Sequence, residues 1–169
     1  MACVESGVTW RQLPWLALCW LTAVALIGCG SEPDSPETRI RALIAQVETH
    51  IEAGEVRSVS DWLAADYRDR NHRTRRDAIA TLFLYTRRHR DIHLFTLIQS
   101  IDVASDQLSA RAVVDIAMTG KRADTAEQLA AMHADLYRFT LELTYDSDLE
   151  RWLVSSSTWR RAELGSLLP

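Results

Sequence analysis

Ile92-His93-Leu94-Phe95-Thr96-Leu97-Ile98-Gln99-Ser100-Ile101-Asp102-Val103 is where the chain changes its period. The run is dense in β-branched and apolar residues and reads as a long strand. Ala104-Ser105-Asp106-Gln107 is polar and turn-like. Leu108–Met118 repeats the strand composition, so the two segments predict an antiparallel hairpin. Further on, Leu136–Tyr145 reads as a third strand, Asp146-Ser147-Asp148 as a turn, and Leu149–Arg161 as a fourth strand. Between the second and third strands lies a long polar connection, Thr119–Asp135. Ala126, Leu129, Ala130 and His133 recur within it at helical spacing and predict a short helix over Thr125–His133.

Upstream of the hairpin the period is helical. Ile40, Leu43, Ile44, Val47 and Ile51 form one apolar stripe over Glu37–Ala53. Ser35 suits the cap, Pro36 the first turn and Gly54 the end. Ser58–Ala65 reads as a second, short helix carrying Trp62 and Leu63, with Asp66-Tyr67-Arg68-Asp69 as its exit turn. Thr74-x-x-Asp77 has the pattern of a capping box and opens a third helix to about His89, with Ile79, Leu82 and Phe83 facing the core. The expected fold class is therefore α+β: three N-terminal helices packed on a curved four-stranded antiparallel sheet.

The N-terminal region is of another kind. Leu13–Ile27 is fifteen residues without a charge, preceded by Arg11 and by Glu5, which dilutes the basic start. It closes on Leu26-Ile27-Gly28-Cys29 and passes into Gly30-Ser31-Glu32-Pro33-Asp34-Ser35-Pro36, a composition that resists regular structure. This arrangement resembles the signal of bacterial lipoproteins. The resemblance implies removal of residues 1–28 by cleavage between Gly28 and Cys29, acylation of Cys29, and a lipid bilayer as partner through that cysteine. Residues 29–36 would be the lipidated cysteine and tether, 37–163 the folded domain and 164–169 a tail. Gly30 after the cysteine implies the periplasmic face of the outer membrane. The other reading is an uncleaved helix in the inner membrane, since Gln12–Ser31 has no charge and about 20 residues span a bilayer. Pro14 and Gly28-Cys29-Gly30 argue against a long regular helix there. The other two cysteines, Cys3 and Cys19, fall in the leader, so the mature domain would hold no internal disulfide.

The net charge is −4, unevenly spread. Arg68, Arg70, Arg73, Arg75, Arg76, Arg87, Arg88 and Arg90 cluster against Asp69 and Asp77. Such a patch can attract phosphate on lipid or polysaccharide headgroups. The favoured reading is a set of solvated helix faces. An exported chain is not expected to meet nucleic acid.

The order of elements, together with Trp62-Leu63-Ala64-Ala65-Asp66-Tyr67 and Arg151-Trp152-Leu153-Val154-Ser155…Trp159, resembles the nuclear-transport-factor-2-like, or cystatin-like, cone fold. That resemblance implies a sheet curved around the first helix and an apolar pocket. Tyr67, Phe83, Tyr137, Phe139 and Trp152 are the candidate lining residues, with plain core packing as the other reading of each. Members include ketosteroid isomerase, polyketide cyclases and scytalone dehydratase, beside proteins that only bind. Asp115 and Glu142 are carboxylates within apolar strands. Alternation puts Asp115 with Arg111 and Val113, and Glu142 with Arg138 and Thr140, so both are expected on the solvent side. His89-x-x-x-His93 has no third ligand, Ser155-Ser156-Ser157 lacks a nucleophile elbow, and no glycine-rich phosphate loop occurs. The expectation is a binding or interaction module with no catalytic set, metal or cofactor. It would hold an apolar small molecule or a partner protein, and would pair as a homodimer through the sheet face. The alternative is a small-molecule enzyme of the polyketide-cyclase or ketosteroid-isomerase kind.

Overall fold

The computed structural model describes residues 35–163 except 72, 90, 133 and 135. The leader, Cys29, the tether up to Asp34 and the tail 164–169 lie outside the described residues. Helix α1 spans Pro36–Glu52. Ser35 caps it, its hydroxyl accepting the Thr38 N–H at 3.2 Å, and Gly54 ends it in the left-handed region at φ 72°. The single turn α2 (Val56–Val59) and a tight 3₁₀ turn (Ser60–Trp62) lead into strand β1, Leu63–Asp69. Helix α3, Arg75–Arg88, starts at the Thr74–Asp77 capping box read from the sequence. Strands β2 (His93–Val103) and β3 (Ser109–Thr119) form the hairpin. Helix α4, Ala126–Ala131, sits within the connection to β4 (Leu136–Asp146), and β5 (Arg151–Ala162) closes the fold.

The sheet has five strands in the order β1-β5-β4-β3-β2. Four of them form an antiparallel meander, and β1 joins the edge parallel to β5. The sequence predicts four strands, a helix over Ser58–Ala65 and a turn at Asp66–Asp69; the structure instead extends Leu63–Asp69 as a fifth strand, β1. Leu63-Ala64-Ala65-Asp66 has little strand propensity, so the local signal points to helix. Backbone pairing with β5, set by distant residues, overrides it.

The β1–β5 pairing shifts register between Leu63 and Arg68, and two bulges bend the antiparallel meander. One lies between Ile98 and Ser100 on β2, and the other is at Ser155 on β5, whose hydroxyl donates to the Glu142 carbonyl at 3.1 Å. On the inner face, Ile40, Leu43 and Ile44 of α1 pack on Ala110, Ala112, Val114, Leu143, Trp152 and Val154. A smaller cluster on the outer face joins Ala117 and Leu136 to Leu129 of α4 and to Ala123. Helix α3 packs against α2 and β1 and has no fully buried residue among those described. It lies over the fold rather than within its core. Among the described residues no helix is long and apolar enough to cross a membrane.

Candidate functional site: an apolar cavity with two polar corners

Between α1, α3 and the inner face of the sheet lies a cavity of about 360 Å³. Small-molecule sites commonly start at about this size. Val47 and Ile51 of α1, Ile79 and Leu82 of α3, Val114, Ile116 and Met118 of β3, and Phe139 and Leu141 of β4 give it an apolar wall. The space exists because α3 reaches the sheet only through half-buried side chains.

One polar corner is built by β1 and β5. The Tyr67 hydroxyl shares a 2.5 Å hydrogen bond with Ser157 Oγ. Two residues on, the buried Asp69 carboxylate accepts the N–H groups of Asn71 (2.7 Å) and Arg73 (3.0 Å) and the Arg73 Nε–H (2.5 Å). The Arg73 guanidinium also lies 5.5 Å from the centre of the Trp159 ring and donates to Thr81 Oγ1 at 3.4 Å. Burial pushes the Asp69 carboxyl upward, but the two N–H groups and the guanidinium outweigh it and hold the group below the ordinary carboxylate range. Asp69 is thus a charge-compensated anion that ties the β1 exit to the start of α3. Burial pushes the Tyr67 phenol up, and the Asp69 charge adds to this against the Ser157 bond and Arg73.

The second corner is Glu48, on the cavity wall from α1, with Thr96 of β2 beside it. Burial raises the Glu48 carboxyl above its ordinary range. A hydrogen bond from Thr96 opposes this, the Glu52 charge adds to it, and Arg122 opposes it last and least. Glu52, one turn further on, accepts the Leu94 N–H at 2.8 Å. It stands 3.9 Å from both His93 Nδ1 and Arg122 Nη2.

Of the five candidate lining residues, Tyr67 and Phe139 lie on this wall. Phe83 does not: it is 44% exposed on the far side of α3 with the Arg87 guanidinium 5.7 Å from its ring centre, which corrects its expected core position. Trp152 is 2% exposed and packs edge-on to Tyr145 in the main core. Tyr137 is half-buried, pairs with Ile116 across the β3–β4 ladder and is outside the wall.

Asp115 also departs from expectation. It is on the outer face, but fully buried rather than solvated. Arg138 grips both its oxygens at 2.7 Å, and Gln99, aimed by the β2 bulge, donates to it at 2.9 Å. Glu142 is partly exposed and pairs with Arg111 at 2.8 Å. His89 stacks on Tyr85 and His93 faces Glu52. Among the described residues no group of three or more His, Cys, Asp or Glu could hold a metal ion.

Glu48 was missed in the sequence, although its signal is there. It stands four residues after Ile44 and three before Ile51, on the apolar stripe itself. Asp69 and Arg73 carried no such signal, because the turn that joins them follows no repeat.

No protein-family model matches the sequence, and neither does any curated protein. Solved structures do match in shape. An NTF-2-like protein of unknown function from Shewanella oneidensis is 17% identical, with a TM-score of 0.54 over 74% of this chain and 98% of that one. A ketosteroid isomerase-like protein from Erwinia carotovora atroseptica is 11% identical, with a TM-score of 0.54 over 77% and 98%. A cystatin-like-fold protein of unknown function from Nostoc punctiforme is 8% identical, with a TM-score of 0.55 over 75% and 90%. The chain therefore has the NTF2-like, cystatin-like α+β cone fold, with a curved five-stranded sheet. At these identities the likeness is one of fold alone.

Proposed function

We propose that this protein is a lipid-anchored binding module whose cone holds an apolar small molecule without transforming it. The carrying observation is the open cavity. Its wall is apolar except at Tyr67–Ser157, Asp69–Arg73 and the Glu48 corner, which suits recognition by shape with few polar contacts. Catalysis of the isomerase type needs a base and a hydrogen-bond donor free to meet developing charge. Here the Tyr67 hydroxyl is engaged with Ser157, and Asp69 is neutralised by Arg73. The anchor is Cys29, at the periplasmic face of the outer membrane; the sequence pattern of the leader supports this part of the reading.

One observation favours the second reading, a cyclase- or isomerase-like enzyme: the Glu48 carboxyl, raised by burial in an apolar wall, has the tuning of a general base. The test is equilibrium dialysis of the detergent-extracted mature chain with adamantanol, a compact apolar alcohol of a size the cavity admits. Saturable binding that Ile116→Phe weakens is expected. A wild-type chain that retains none overturns the binding reading. Intact-mass analysis tests the anchor: a Cys29→Ser chain should keep its leader and carry no lipid, and a variant that matures like the wild type removes that claim.

A further inference from the structure

We infer that the ligand of this cavity carries a basic amine, held by Glu48. The inference rests on the cavity being the binding site, and it follows from the charges on the wall. Three ionised side chains line the space: Glu48, Asp69 and Arg73. Asp69 and Arg73 cancel in charge, and the Asp69 carboxylate is engaged by the Arg73 guanidinium and by two backbone N–H groups. What is left is one carboxylate in an apolar wall. Among the described residues only the Thr96 hydroxyl hydrogen-bonds to it. Glu52 behind it repels it more than Arg122 attracts it, and Arg122 stands at Glu52, 3.9 Å away.

A carboxylate withdrawn from water without a cation is costly, and a ligand that brings the cation removes the cost. An ammonium offers three donors, and a carboxylate with one hydroxyl partner still has acceptor sites to receive them. The same arrangement repels a ligand carboxylate, which would meet Glu48 and Glu52 together. The apolar remainder of the wall would take a hydrocarbon skeleton attached to the amine. The site thus selects an apolar amine over the alcohol of the same shape, and the alcohol over the acid.

Adamantylamine, adamantanol and adamantanecarboxylate share one skeleton and isolate the headgroup. Dialysis against the detergent-extracted mature chain at neutral pH should rank them amine, alcohol, acid. The amine should lead the alcohol by about tenfold or more, as a charge-assisted hydrogen bond warrants. Glu48→Gln should erase the amine's lead over the alcohol, whereas Glu48→Asp, which keeps the charge, should retain part of it. A melting temperature for the Gln variant no lower than that of the wild type confirms that its fold is intact. Equal binding of amine and alcohol by the wild type, or tighter binding of the acid, overturns the amine inference and leaves the cavity as a binding site. No binding of any of the three overturns the cavity reading as well.

Discussion

Asp115, on strand β3, and Glu48, on helix α1 over the inner face, are two carboxylates on opposite sides of the same sheet, and their surroundings differ as much as their positions. Asp115, on the outer face, is sealed from water and accepts three hydrogen bonds from Arg138 and Gln99. Glu48, on the inner side, faces hollow space with one hydroxyl for company. A buried charge held by a guanidinium and an amide, with no access to water, has little left to offer a ligand. A half-buried charge beside a cavity keeps its capacity unspent. The contrast separates structural from binding polarity without reference to any relative.

Removing the sealed carboxylate should do the most harm. Asp115→Ala leaves the Arg138 guanidinium without that partner and is expected to cost about 3–5 kcal/mol in denaturant unfolding. The double change Asp115→Leu with Arg138→Met should recover most of it, since an apolar pair of similar volume needs no partner. A single-variant loss under about 1 kcal/mol would mean that the two faces do not differ in this way.

Asp69→Asn comes next, at about 2–3 kcal/mol, because Arg73 is a third exposed and water softens the loss. The pH dependence has a definite sign. The folded-state value lies below the ordinary 3.8, so the stabilisation is present above that pH and is lost as pH falls through the folded-state value. An acid titration of the wild type should therefore steepen below about pH 4, and the Asn variant should titrate more flatly.

Ile116→Phe adds volume where space exists, so its stability should stay within about 1 kcal/mol of the wild type while adamantanol binding weakens. Smallest of all on stability is Glu48→Gln, which should be neutral or stabilising by less than about 1 kcal/mol. Its folded-state value lies above the ordinary 4.5, so ionisation opposes folding. Any gain from Gln should grow as pH rises through the folded value and disappear below the unfolded one. A thermal melt series over pH resolves both signs, and opposite slopes for the Asp69 and Glu48 variants are expected.

Much of the framework was readable from local patterns. The α1 stripe, the Ser35 and Thr74 caps, the short α4 helix and the four long strands all appear within a residue or two of their expected bounds. Each depends on a repeat or a cap contained in a single segment. Misreadings fell where a distant element decides. The weak strand residues of β1 are extended because β5 lies beside them. Phe83 has the spacing of a core residue, yet α3 meets the fold through Ile79 and Leu82 instead.

Periodicity in the chain thus sufficed for helix or strand and for the α+β class, because hydrogen bonding within an element and the side on which it is apolar are local properties. Alternation could place Asp115 on the outer face, but not say that Arg138 and a bulged Gln99 would close over it. Spacing could place Glu48 on the α1 stripe, but not reveal that the stripe looks onto empty space at that turn. Cover and hollow arise from how several elements meet, and that meeting is a property of the assembled domain.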